Sequence, residues 1–233
     1  MPVNTHTGEP RRPPFNADAA RRHREALGMT PAHVAYGIWA AFGIQISPVT
    51  VASWELREST PTESELTALA GALWCAPGDL LGAPGTLREY RLSAGLAPDA
   101  LASAVGMDQA GYERLEAGGP WRGNDRQAAA LAEVLKLSRP ALLRVTGRDR
   151  TLSELLTSAV TTRWQAYVRP VGKLVPLPKQ RIQEVLQELH AEYQAAMAAT
   201  LNWGGGDGTE ESGETGRTFL DGILEEFWAR LGE

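Results

Sequence analysis

Apolar residues recur along this chain at spacings of three and four, and the alternation of a half-buried strand is nearly absent. From Asn16 onward the pattern divides into short helices. Asn16 caps ADAARRHREAL, and Gly28 ends it. Thr30-Pro31 places a cap before a proline at the first helical position and starts AHVAYGIWAAFG. Val34, Ile38, Ala41 and Phe42 share one face of that helix. Ser47-Pro48 repeats the same start for VTVASWEL. Thr62 caps ESELTALAGALW with Glu65 in capping-box position, and APGDLLG closes the cluster.

A second cluster follows in the same order: TLREYRLSAG, LAPDALASAVG, MDQAGYERLEAG, NDRQAAALAEVLKL and SRPALLRVTG. In both clusters a Pro-started helix, a glycine break and a short helix ending in an aromatic or Leu followed by Glu succeed one another. This internal repeat carries more information than any one segment. The interval from Ala35 to Ser47 exceeds the matching one, Ala102 to Asp108, by six positions, which predicts a lengthened second helix in the first copy.

Beyond the repeat, residues 151–168 read as one helix. Tyr167 to Leu177 is the best candidate for extended structure, and Pro170 and Pro176 limit it to a short edge. From Lys179 to Trp203 a long helix places Ile182, Leu186, Leu189 and Tyr193 at heptad spacing. GGGDGTEESGETG is an acidic linker by composition. RTFLDGILEEFWARL then carries a dense apolar stripe from Phe219 to Leu231. The organisation expected is an arm over 1–15, helical domains over 16–85 and 86–148, a helical C-terminal and dimerisation region over 149–203, a linker over 204–216, and a docking helix over 217–233. The fold class is all-α.

Charge changes the picture. The formal net charge is −5, but residues 201–233 hold two Arg against eight acids, while residues 86–148 hold nine basic residues against seven acids. Residues 11–24 hold five Arg against one Asp. An acidic C-terminal stretch thus masks a mildly basic body. Cys75 is the single cysteine and reads as a buried thiol in a reducing compartment. No apolar run reaches the ~20 residues of a membrane helix and no secretory leader is visible, so a cytoplasmic location without membrane contact is expected. The four histidines lack the spacing of a structural zinc site, so neither metal nor cofactor is expected. There is no P-loop, no Gly-rich turn after a strand and no nucleophile elbow, so no enzyme is expected.

Both clusters resemble the Cro/CI-type (XRE-family) helix-turn-helix domain of bacterial and phage repressors, in an actinobacterial style. The residues that carry the resemblance are LREYRLSAGL, ALASAVGM and YERLEAG in the second copy, and GMTPAHVA, TVASWE and LTALAGAL in the first. Two tandem five-helix bundles over roughly the first 150 residues are implied. Arg57 stands where the family has Gly, and Pro31 and Pro98 stand where some repressors have a phosphate-binding Gln.

In such domains the second helix of the motif enters the major groove. The resemblance therefore implies DNA contacts from Ser47, Val49, Thr50, Ser53 and Arg57 in the first copy. In the second copy it implies Gln109, Arg114 and Arg122, with Arg88, Arg91 and Arg126 as further phosphate holders. Val49 and the Thr50 methyl suit thymine methyls, Gln109 suits adenine and Arg114 suits guanine. Ser47 and Asp108 are helix caps first and DNA contacts second. Val51, Trp54, Tyr112 and Leu115 read as core, and Glu55 and Glu116 as bonded to backbone or to Arg.

The function expected is sequence-specific regulation of transcription on double-stranded DNA, by a homodimer. Either both copies read DNA, or one reads while the other packs. Two rivals stand beside this: a helix-turn-helix adaptor or antitoxin-like binder of a protein partner, with the C-terminal helix as the contact it offers, and a sensor with a pocket among the C-terminal aromatics.

Overall fold

A computed structural model describes residues 12–202 and 216–233. Expectations for the arm up to Arg11 and for most of the acidic linker lie outside the described residues. The chain is all-α: helices account for its regular structure, and the described residues contain no strand, only an isolated bridge between Phe15 and Leu81. Two compact units divide it, Met1–Ala117 and Gly118–Glu233.

The first unit holds α1 (Ala17–Ala26), α2 (Pro31–Phe42), α3 (Pro48–Glu55), α4 (Glu63–Ala72), a 3-10 turn (Pro77–Leu80), α5 (Leu87–Ser93), α6 (Pro98–Val105) and α7 (Gln109–Glu116). Each start has a local cause. Asn16 Oδ1 accepts from the Ala19 amide at 3.0 Å, and Ser47 Oγ accepts from the Thr50 amide at 3.0 Å. Thr62 and Glu65 satisfy each other's orphan amides in a capping box. Helices this short are not stable alone; packing stabilises them. α2 packs on α3 and α4, burying Val34, Ile38, Val51, Trp54, Leu66 and Leu69 in one core, which Leu92 of α5 joins. α6 packs on α7, where Leu101, Val105, Tyr112 and Leu115 are buried.

The expected apolar face of α2 holds only for Val34 and Ile38. Ala41 and Phe42 are exposed. α2 has 12 residues and its repeat partner α6 has 8, so the last turn of α2 runs past the core. There the Phe42 ring lies over Gly71, where a Cβ atom would sit 2.4 Å from Cζ. The lengthened second helix is therefore present, and its extra turn carries surface aromatics.

The second unit holds α8 (Asp125–Val134), α9 (Arg139–Val145), α10 (Asp149–Thr161), a 3-10 turn (Trp164–Tyr167), α11 (Val168–Leu174), α12 (Lys179–Asn202), helical residues 216–221, and α13 (Ile223–Leu231). The helix expected over 151–168 stops at Thr161, because Thr162 leaves helical geometry (φ −129°, ψ −119°). The Tyr167–Leu177 stretch is helical as far as Leu174 and holds no strand; from Val175 the backbone leaves helical geometry. Pro170 falls in the first turn of α11, where a missing N–H costs nothing. Ile182, Leu186 and Leu189 are buried, as heptad spacing predicts. The C-terminal stripe belongs to this same core: Ile223, Phe227 and Trp228 are buried, with α13 packed on α10 and α12.

Candidate nucleic-acid interface

α3 and α7 correspond across the repeat, and each is fixed by an Arg–Glu clamp from the helix that opens its cluster. In the first copy Arg24 donates to both Glu55 oxygens, at 2.6 and 2.8 Å, and its third nitrogen donates to the Met29 carbonyl at 2.8 Å. In the second, Arg91 donates to Glu116 Oε1 at 2.5 Å and to the Leu96 carbonyl at 2.8 Å. Each Arg reaches the carbonyl five residues on and the Glu that ends the short helix. The offset between copies is 67 positions at the Arg and 61 at the Glu, so the six-residue difference falls between them. Glu55 and Glu116 are therefore partners of Arg, one of the two options the sequence left open.

The clamps are buried. The side chains of Arg24 and Glu55 are 13% and 8% exposed, and those of Arg91 and Glu116 3% and 13%. The hydrogen bond from Arg24 to Glu55 raises the arginine's pKa. Burial by itself lowers that of Arg91, but its bonds to Glu116 and Glu63 outweigh burial and hold it above its ordinary value. Tyr112 donates its hydroxyl to Glu116 at 2.7 Å, and burial next to that carboxylate pushes the phenol up. Arg91 also donates to Glu63 at 2.8 Å, as does Arg88 at 2.7 Å. Burial alone would raise Glu63, but these two arginines bring it below its ordinary value. Arg91 is thus no phosphate holder: its guanidinium is enclosed and fully used.

Buried Val51 and Trp54 anchor α3 and turn its start outward. Ser47 is exposed, its hydroxyl capping the helix and bonding Thr50 Oγ1 at 2.9 Å. Val49 is 76% exposed, an unusual position for a β-branched apolar residue. Ser53 is occupied: it donates to the Thr50 carbonyl at 2.9 Å and pairs with the Ser59 hydroxyl at 2.7 Å. Arg57 is exposed, pairs with Asp18, and sits at φ +63°, where its counterpart Gly118 has φ +89°. An αL backbone is strained for Arg and free for Gly.

On α7, Asp108 caps the helix at the Gly111 amide, 2.7 Å away. Gln109 is exposed but donates to Glu113 at 2.8 Å. Arg114 is exposed and without a partner among the described residues. Arg122 is equally exposed and unpartnered there, but lies in the second unit. The structure thus leaves Ser47, Val49, Arg57, Gln109, Arg114 and Arg122 exposed and Thr50 half-buried with its hydroxyl on Ser47, while Ser53 and Arg91 are committed internally.

Two surface features went unread in the sequence. Tyr36 and Trp39 are 67% and 51% exposed, with ring centroids 5.7 Å apart, and Phe42 lies one turn on. Their spacing of three along α2 was visible, but only the position of the helix shows which way they face. The second feature is a cluster. Cys75 is half-buried rather than buried, and its thiol lies with a ring nitrogen of His23 and a carboxylate oxygen of Asp79, all within 4.8 Å of one another. Burial and the neighbouring Asp79 push the thiol pKa up to about 11. Trp74 beside it is 81% exposed at φ +53°.

No family model, curated protein or solved structure matches the chain.

Proposed function

We propose that the protein is a sequence-specific DNA-binding regulator of transcription, built on two tandem helix-turn-helix bundles of the XRE type. The observation that supports this best is the duplicated clamp. Two short helices with the same origin in the repeat are each held from behind by a buried Arg–Glu pair, with capped, solvent-facing N-termini. That arrangement suits helices that enter a major groove with their first residues at the base edges. In this reading Val49 and Thr50 meet thymine methyls, and Gln109 and Arg114 read adenine and guanine. Arg57 and Arg122 hold phosphates and set register rather than sequence. The protein acts as a homodimer on a two-fold site. The test is electrophoretic retardation of genomic fragments at several salt concentrations. The logarithm of affinity should fall against the logarithm of salt with a slope of roughly −0.9 per phosphate neutralised.

A second reading is favoured by the exposed aromatics of α2. Tyr36, Trp39 and Phe42 offer apolar surface of the kind that protein partners bury, and Gln109 is tied to an acid. An adaptor that grips a protein partner through α2 is the alternative. Failure to retard any fragment even at low salt would decide for it.

A further inference from the structure

We propose that His23, Cys75 and Asp79 form a binding site for one divalent transition-metal ion of zinc type. The three ligand atoms lie within 4.8 Å of one another. Metal–ligand bonds of about 2.0 Å to N and O and 2.3 Å to S put tetrahedral ligands about 3.3–3.6 Å apart. Side-chain rotations that draw the atoms in by about 1 Å complete the geometry. The donor set chooses the metal. A thiolate with an imidazole suits zinc and its neighbours, and discriminates against magnesium and calcium, which take oxygen. One thiolate and one carboxylate neutralise the 2+ charge. Three protein ligands leave a fourth position for water, so the site is of the exchangeable, open kind.

The backbone supports this placement. His23 sits in the last turn of α1. Cys75 follows α4 at a reversal, where its amide donates to the Ala70 carbonyl at 3.0 Å. Asp79 sits in the Pro77–Leu80 turn, and its Oδ2 accepts from the Ala76 amide at 2.9 Å, which orients the carboxylate. All three segments are anchored in one core by Ala20, Leu73 and Leu80. The His23 ring has no hydrogen-bond partner among the described residues, so it is not spent on holding the fold.

The repeat supplies an internal control. Trp74 and Lys136 share a positive φ, and the Cys75–Ala70 hydrogen bond recurs as Leu137–Ala132, all at an offset of 62. The counterparts of the three ligands are Tyr90, Leu137 and Ala141, none of them a zinc ligand. The bundle therefore forms without donors at these places, and the first copy alone has gathered them. A bound ion would fasten α1 to the far end of its bundle, and α1 carries Arg21 and Arg24, which hold Glu55. The proposal does not depend on DNA binding.

Cobalt(II) is the probe, titrated into the full chain with a phosphine reductant to keep the thiol free. Since Cys75 is the single cysteine, any thiolate-to-cobalt charge-transfer band must come from it. We expect that band together with tetrahedral ligand-field bands, saturation at one cobalt per chain, and displacement by zinc. C75S should abolish the charge-transfer band. H23Q and D79N should weaken affinity by about 100-fold or more, since even second-layer changes cost 10–100-fold. Circular dichroism of each variant without metal should match the wild type, because all three changes are conservative and none of the three side chains is fully buried, Cys75 only touching the edge of the core. Zinc should raise the thermal midpoint of the wild type and not of C75S. Absence of a charge-transfer band in the wild type, a band that survives in H23Q and D79N at unchanged affinity, or saturation at one cobalt per two chains would overturn the proposal.

Discussion

At the scale of residues, the clamps set the strongest expectations. Arg91 is enclosed and serves Glu116, Glu63 and the Leu96 carbonyl at once. Removing one member of a buried pair leaves the other charge uncompensated, at a cost of about 3–5 kcal/mol. Arg91→Ala should therefore lower the urea midpoint of unfolding sharply. Arg114→Ala, on an exposed side chain without a partner among the described residues, should change the stability by less than about 0.5 kcal/mol; equal effects from the two changes would refute the clamp argument. Glu63 adds a dependence on pH. Its folded pKa lies below the unfolded value of about 4.3, so its contribution is present above that value and is lost as pH falls through the folded one. Glu63→Gln should be less stable than the wild type at neutral pH, with the two converging in acid; a constant gap across the titration would show that the carboxylate's charge is not what matters. Helix caps at Asn16, Thr30, Ser47 and Thr62 were legible because cap, proline and capping box are adjacent in sequence. The metal-type cluster was not, since His23 and Cys75 lie about fifty residues apart and only the packing of α1 against the Pro77–Leu80 turn brings them together.

At the scale of elements, periodicity gave the helices but not their ends or their outward faces. α3 and α7 were legible because a capped start, two core anchors and a terminal Glu recur in both copies. Phe42 departs from the apolar face drawn by spacing, because spacing alone does not reveal where the partner helices stop. The break at Thr162 and the helix through Pro170 were hidden for another reason. Proline in a first turn and proline at a strand edge look alike until the chain direction is known. The C-terminal stripe was fully legible as a stripe, and its seven large apolar residues all pack into the core of the second unit. Phe227 is fully buried there and meets Trp228 edge-on, with centroids 5.0 Å apart. Phe227→Ala should destabilise that unit by about 3–5 kcal/mol through lost burial and the cavity left behind. Thermal unfolding followed by circular dichroism measures this, and a shift no larger than that of an exposed change such as Glu225→Ala would mean that α13 does not stay docked in solution.

At the scale of the whole molecule, the distribution of charge matters more than its sum. A chain with a formal charge of −5 is a poor polyanion binder unless its acids are segregated from its basic surface, and here they gather toward the C-terminus. Asp207, Glu210, Glu211 and Glu214 stand in one short stretch, so changing all four to their amides leaves a formal charge of −1 without touching the described core. If the proposed DNA contacts are right, the negative charge of this stretch slows the approach of DNA through its long-range field. The four-fold amide variant should then bind DNA more tightly than the wild type at low salt, with a faster association rate and an unchanged preference among sites. The advantage should shrink as the screening length falls to about 10 Å near 0.1 M salt and below it at higher salt. Association and dissociation rates on an immobilised duplex, measured across salt concentrations, separate the outcomes. A gain confined to the association rate supports electrostatic masking; identical affinities at low salt would show that the charge of the acidic stretch does not act on DNA binding.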